Sequence, residues 1–307
     1  MQETGYETFS FYYDALTENV NYPARAAYLD GLVQKYKQSA GKVMLDLACG
    51  TGTMTEEMAE RGYDMIGVDY SEGMLGQAME KKIEKQLPIQ YVCQDMRELE
   101  LYGTVDAVIC TLDSLNHLPS FEDVTTVFQR VWESTETGGV FVFDMNTLYK
   151  HRELLGNQVY VYETDAVYCV WENALCEDNC TVEITLDLFQ LCTDGRYRRT
   201  EEQITERAYA PEQVQAALEK SQAAVDSEDP WDHTAAYAFL DEVHCGLLYG
   251  VPDGMGIQFD ENSYLEDAAN PVYARYVFTS AGSNTAALLT ADGWSVLYES
   301  EKCVLYE

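Results

Sequence analysis

The sequence predicts an α/β fold: a doubly wound, mostly parallel sheet with an antiparallel β lid inserted after its fifth strand. Three observations carry this expectation. Five short apolar runs alternate with helical patterns between Lys42 and Asp144. An acid stands in or just beyond each run: Asp46, Asp69, Asp95, Asp113 and Asp144. Beyond Asp144 the pattern changes to residues alternating at period two, the mark of half-buried antiparallel strands.

The elements follow in order. Phe9 to Tyr36 reads as helical with aromatic punctuation, and Asn21 and Pro23 suit a helix start. Val43 to Leu47 is a short apolar strand. It runs into Ala48-Cys49-Gly50-Thr51-Gly52-Thr53, where a helix begins and continues to Gly62. Glycine at positions 50 and 52 lets the backbone turn sharply and lets a ligand approach it. The first N–H groups of the following helix face the same ligand.

Asp64 to Asp69 is the second strand, and Asp69 lies twenty-three residues after Asp46. A nucleotide-binding βαβ unit places its ribose-binding carboxylate at this distance. Ser71 caps the next helix, and Pro88 breaks it. Ile89 to Cys93 and Val105 to Cys110 are the third and fourth strands. Ser120 with Asp123 resembles a capping box for a helix burying Val124, Val127, Phe128, Val131 and Trp132. Gly138-Gly139 turns into a fifth strand, Val140 to Phe143. In doubly wound sheets ligands bind outside the carboxyl ends of the strands. Building a core does not call for acids at all five ends, whereas a cofactor site does.

Composition narrows the class. A chain of 307 residues with 47% hydrophobic content buries a sizeable core. No apolar run approaches a membrane span, and Met1 to Gly5 shows no signal-peptide pattern, so a cytoplasmic protein is expected. Nineteen basic residues against fifty-three acidic ones give a net charge of -34. Such a chain repels phosphate backbones and anionic lipid, so neither nucleic acid nor membrane is expected as a partner. Nine cysteines without framework spacing read as reduced thiols. Cys169, Cys176, Cys180 and Cys192 lack the paired spacing of a zinc site, and His233, His244 and Cys245 read as solvated loop residues. No metal is expected.

Leu45-Asp46-Leu47-Ala48-Cys49-Gly50-Thr51-Gly52 resembles motif I of the class I S-adenosylmethionine-dependent methyltransferases. In particular it resembles small bacterial members that open with a tyrosine-rich helix such as Phe11-Tyr12-Tyr13-Asp14. The resemblance covers roughly residues 5–215. It implies a Rossmann-like sheet with S-adenosylmethionine over the strand ends. It further implies that Asp46 and the loop from Ala48 through Gly50 to Gly52 line the methionine part. Asp69 binds the ribose hydroxyls, with Tyr70 beside it, and Asp95 with Met96 reaches the adenine edge. The loop from Cys110 through Asp113 to His117 lies under the methionyl end and faces the substrate, while Tyr13 and Tyr22 cover the cofactor. Ala48 stands where many relatives have glycine.

The bare residues agree. A dinucleotide loop usually carries three glycines spaced G-x-G-x-x-G around a pyrophosphate, and that match is incomplete here. Methyl transfer from a sulfonium is an in-line displacement that needs alignment and exclusion of water. A base is needed only if the nucleophile must lose a proton, and His117, Asp113 and the pocket tyrosines are candidates. A loop histidine that merely packs beside the site is the equal alternative for His117. The expected activity is methyl transfer to a small-molecule acceptor. The alternatives are a non-catalytic cofactor-binding or regulatory protein and, behind it, a nicotinamide-dependent oxidoreductase. A lid that fills the substrate space with aromatic side chains would favour the binder.

Val159–Tyr162, Ala166–Trp171, Thr181–Leu188 and Tyr197–Tyr209 read as lid strands, with a hairpin turn at Thr193-Asp194-Gly195-Arg196. Pro211 opens a further helix. Residues 221–307 hold fifteen acids against Arg275 and Lys302. The expected division is a cofactor-binding unit of residues 1–148 with about 205–220 and 271–307, a lid of 149–204, and an acidic insertion of 221–270. Tyr273–Phe278 and Trp294–Tyr298 are the candidate closing strands of the main sheet. Monomer and dimer are both open.

Overall fold

The computed structural model describes residues 8–225 and the strand backbones at 277–280, 296–299 and 303–306. Five strands, β1 (Val43–Leu47), β2 (Asp64–Asp69), β3 (Gln90–Cys93), β4 (Val105–Cys110) and β5 (Thr135–Phe143), form one parallel sheet in the order β3-β2-β1-β4-β5. The order reverses beside β1, so the loops after β1 and β4 diverge and leave a crevice above them. β1 is buried along nearly its whole length and β4 at every position. That is why each reads as an apolar run interrupted by one aspartate only, Asp46 in β1 and Asp106 in β4.

The N-terminal region is not one helix. It divides into a turn of 3₁₀-helix at Phe9–Phe11, a single turn α1 (Tyr13–Leu16) and α2 (Tyr22–Tyr36). The polar stretch Thr17 to Asn21 interrupts it, and the Asn21 side chain accepts from Ala24 N–H to start α2 anew. Between strands lie α3 (Thr53–Glu60), α4 (Glu72–Lys85) and α5 (Phe121–Ser134). Ser71 and Ser120 cap α4 and α5 as expected, through bonds from Met74 and Asp123 N–H. The fully buried Phe128 of α5 meets Phe141 and Phe143 of β5 at ring-centroid distances of 6.1 and 5.3 Å.

The lid is a four-stranded antiparallel sheet in sequential order: β6 (Val159–Glu163), β7 (Val167–Leu175), β8 (Thr181–Leu191) and β9 (Tyr197–Arg207). It leaves the main sheet after β5 and returns to α6 (Pro211–Val225). Its two ends meet at a parallel bridge between Thr147 and Tyr209, so it is an insertion with closed ends. One face is apolar, with Val167, Cys169, Val182, Ile184, Leu186, Leu188 and Ile204 in one cluster. Phe9, Leu16 and Met74 join that cluster. The N-terminal segment therefore packs on the lid as well as on the main domain.

The candidate closing strands are present at β10 (Val277–Ser280) and β11 (Val296–Glu299), but not on the main sheet. They flank β12 (Cys303–Tyr306) in a separate three-stranded antiparallel sheet, β10-β12-β11. The acidic stretch 226–270, with His233, His244 and Cys245, lies outside the described residues. No helix among the described residues is long and apolar enough to cross a membrane.

Candidate functional site

The residues between β1 and α3 take an alternating left-handed path. Ala48, Gly50 and Gly52 have φ of 61°, 54° and 77°. Left-handed backbone costs an L-residue about 1–2 kcal/mol, a cost that Ala48 bears and the two glycines escape. At Gly50 an added Cβ would meet nothing within 4 Å, so space lies open above this turn. Gly52 is different. A Cβ there would collide with the Tyr91 hydroxyl, and the residue serves as the cap of α3.

Asp69 ties the first two strand ends together. Its carboxylate accepts from Gly50 N–H and from Ser71 N–H, both at 2.8 Å. Burial raises its pKa against these backbone donors. Asp46 is buried deeper, at 1% exposure, and accepts from the Thr55 hydroxyl at 2.6 Å. Desolvation, with Asp69 nearby, pushes its pKa up to about 7. Asp95 caps the 3₁₀ turn Met96–Glu98, and both its oxygens accept from the Arg97 guanidinium. That hydrogen bond lowers its pKa.

After β4 two consecutive residues, Leu112 and Asp113, are left-handed with φ of 58° and 53°. The carboxylate of Asp144, at the end of β5, accepts from both of their N–H groups, at 3.2 and 2.7 Å. The 3₁₀ turn Ser114–His117 follows. The fully buried Asn116 donates to the carbonyls of Asn146 and Arg207 and accepts from Asn146 N–H. This amide joins the loops after β4 and β5 to the last lid strand.

A cavity of about 730 Å³ runs from these strand ends to the inner face of the lid. Small-molecule sites occupy about 300–1,000 Å³. Tyr13, Tyr22, Asp46, Ala48, Gly50, Asp69, Tyr70, Asp95, Met96, Asp113 and His117 all line it. Tyr70 stands at the rim, 56% exposed. Two expected residues do not line it. Gly52 faces Tyr91, and Cys110 is fully buried within β4, one residue short of the lining position Thr111.

The other wall is built from residues that the motif does not reach. The π-helical turn Lys150–Leu155 contributes Lys150, Leu154 and Leu155, and the lid contributes Tyr160, Tyr162, Trp171, Asn173, Ile184, Ile204 and Glu206. Trp171 donates Nε1–H to Asn173, and Tyr160 donates to the Leu154 carbonyl, so the aromatic wall is fixed. Glu206 is the notable addition. Desolvation opposes its charge, but His151, His117 and Asn146 outweigh that and hold its pKa low. Asn146 Nδ2 donates both to Glu206 Oε2 at 2.8 Å and to Asp113 Oδ2 at 2.6 Å. His151 is fully buried. Its Nδ1 lies 2.9 Å from the Cys180 carbonyl, which only accepts, so Nδ1 carries a proton, and Nε2 is 3.5 Å from Glu206. Alternation along β9 offered the only sequence signal for Glu206: Ile204 and Glu206 share a face.

The N-terminal segment closes the top. Glu202 of β9 accepts from the N–H groups of Thr8 and Phe9. Asp14 accepts from the Thr51 hydroxyl at 2.6 Å and pairs with Lys81 at 2.7 Å. Phe9 meets Trp171 edge-on at 5.8 Å.

Asp113, His117 and Glu206 offer ligand atoms within 4.8 Å of one another, a grouping compatible with a cation. The seven cysteines among the described residues are free.

Comparison with known proteins agrees with this architecture. A methyltransferase-domain family matches residues 44–139. A Geobacillus sp. (strain WCH70) protein to which methyltransferase activity is ascribed is 30% identical over 197 residues, spanning 64% of this chain and 80% of that one. The crystal structure of an S-adenosylmethionine-dependent methyltransferase from Clostridium acetobutylicum is 32% identical, with a TM-score of 0.63 over 71% of this chain and 87% of that one. The CcbJ methyltransferase from Streptomyces caelestis shares the fold at 19% identity, with a TM-score of 0.61 over 72% of this chain and 87% of that one. The chain belongs to the class I S-adenosylmethionine-dependent methyltransferases, and S-adenosylmethionine is its cofactor.

Proposed function

We propose that the protein methylates a small molecule held between the strand ends and the lid. The carrying observation is that one cavity joins the two regions. The strand-end acids and the lid residues Ile204 and Glu206 line the same space. The aromatic side chains of the lid form a wall and do not fill the space, which supports an enzyme over a non-catalytic binder. When bound, the cofactor supplies an electrophilic methyl group on a sulfonium.

The chain's own residues then do four things. Asp69, fixed by two backbone N–H groups, presents its remaining lone pairs to the ribose hydroxyls. Ala48 and Gly50 bring backbone close to the methionine part, and Asp46 balances its positive charge. Tyr70, Asp95 and Met96 border the adenine, with Asp95 held in place by Arg97. Tyr13 and Tyr22 cover the cofactor from above and exclude water. His117 accepts a proton from the acceptor; its Nε2 lies 3.9 Å from Glu206 Oε1. The reduced cysteines and the acidic surface suit a cytoplasmic enzyme with no nucleic-acid substrate.

Calorimetry with S-adenosylmethionine and its demethylated product tests the cofactor half, with binding of both expected. Incubation of a metabolite extract with methyl-labelled cofactor tests the transfer half. Cofactor binding without label in any small molecule, at every acceptor concentration, would return the non-catalytic reading.

A further inference from the structure

We propose that the methyl acceptor is an amine, taken up as its ammonium ion beside Asp113 and Glu206 and relieved of a proton by His117. This rests on the methyltransferase reading above and deepens it.

The charges lining the cavity are unequal. Five acids, Asp46, Asp69, Asp95, Asp113 and Glu206, face it against the permanent cations Arg97 and Lys150. Arg97 is taken up by Asp95 and Asp123, at 2.6 and 3.4 Å. Asp46 and Asp69 would face the bound cofactor, so Asp113 and Glu206 are the acids left toward the lid, with Lys150 as the cation beside Asp113.

These two carboxylates share a partner. Asn146 Nδ2 bridges Asp113 Oδ2 and Glu206 Oε2, Lys150 Nζ is 4.0 Å from the same Asp113 oxygen, and His151 Nε2 is 3.5 Å from the same Glu206 oxygen. Glu206 Oε1 is directed to His117 Nε2, at 3.9 Å. A carboxylate buried to 5% exposure with an oxygen facing a cavity gains most from a charged donor. An ammonium group is such a donor. A neutral hydroxyl gains less, and an anion is repelled. Next to Glu206 on the same face come Ile204 and, across the strand, Ile184, leading to Asn173. The acceptor's body is therefore apolar, and the charge is confined to one end.

The proton balance closes within the site. The ammonium N–H proton passes to His117 Nε2, giving an imidazolium beside Glu206. The freed nitrogen lone pair forms the bond to the methyl carbon as the carbon–sulfur bond breaks, its electron pair staying on sulfur. The product is the methylated ammonium and a neutral thioether.

The test uses three probes with one body: 2-phenylethylamine, 2-phenylethanol and phenylacetate. Binding of each to the protein saturated with the demethylated cofactor is measured by calorimetry. Transfer of labelled methyl is measured alongside. The amine is expected to bind at least tenfold more tightly than the alcohol, to be the probe that is methylated, and to leave phenylacetate without measurable binding. Glu206→Gln is expected to lower kcat/KM for the amine about a hundredfold and leave cofactor affinity unchanged. If Glu206→Gln loses the fold with His151 beside it, His117→Gln replaces it: amine binding is kept and methyl transfer is lost. Three results overturn the proposal: an alcohol or carboxylate bound as tightly as the amine, undiminished amine turnover in the variant, or turnover that a divalent-cation chelator abolishes. Each leaves cofactor binding intact. Failure of the protein to bind the demethylated cofactor would instead remove the methyltransferase reading itself.

Discussion

The two sheets that face each other across the cavity are built on different principles. The centre of the parallel sheet is buried on both faces, and β4 has no exposed residue. Its contribution to the site comes from strand ends and backbone: left-handed loops, N–H groups and the acids that hold them. The lid sheet is buried on one face only, and β8 and β9 alternate accordingly. Its contribution is the side chains of that one face. On the proposed reading the cofactor would meet loop backbone and strand-end acids, and the acceptor would meet side chains of the lid face. The lesson is that the two ends of the cavity respond differently to substitution.

The largest expected effect breaks the first sheet. Phe128→Ala removes a fully buried ring between α5 and β5, so stability should fall by about 3–5 kcal/mol, and thermal denaturation should show the whole transition move. Leu186→Ala in the lid should cost about 2–5 kcal/mol of packing yet leave cofactor affinity nearly intact. Equal loss of cofactor binding in both variants would erase the distinction between the two sheets. Next comes Asp69→Asn, which keeps the shape and one acceptor but removes the charge. Cofactor affinity should fall by about 1–3 kcal/mol in calorimetry with the KM for the acceptor unchanged.

A pH effect sharpens the same contrast. Burial raises Asp46 from the usual carboxylate value near 4 to about 7. Between those values the folded chain holds a proton that the unfolded chain has lost. Its contribution to stability is therefore present at low pH and declines as pH rises through the window. The melting temperature without cofactor should show that decline, and Asp46→Asn should flatten it. Cofactor binding should run the opposite way, weakening below about pH 7, because the proton competes with the cofactor's positive charge. The smallest effect is local. Ser120→Ala removes the cap of α5 and should cost about 1 kcal/mol, measured by denaturant unfolding, without changing either binding step.

Much of this was legible residue by residue. β2 and β4 have the bounds expected for them; β4, buried at every position, is apolar but for Asp106. The loop after β1 was legible because glycine and small residues are required where φ is positive. Cys110 was misplaced by one position, since a continuous apolar strand gives no sign of the residue at which it surfaces. Gly52 was expected at the ligand, and it lies instead against Tyr91, a partner on a strand thirty-nine residues away. Two of the three strands near the C-terminus were recognisable as strands, but β12 and the pairing of all three with one another were not. Period-two patterns state that an edge is needed and do not say which one.

What the sequence by itself determined is the order of elements, the strand-end acids and the glycine loop, hence the family and its cofactor. These depend on local rules: strand period, caps, and backbone conformations that few residues tolerate. The tertiary structure alone decided which residues stand beside Asp113 at the lid end of the cavity. Asp113, Asn146, Lys150, His151 and Glu206 come from four separate segments, and only the closing of the lid at Thr147 and Tyr209 brings them together. Charges far apart in the chain acquire a common chemistry when burial removes the water between them.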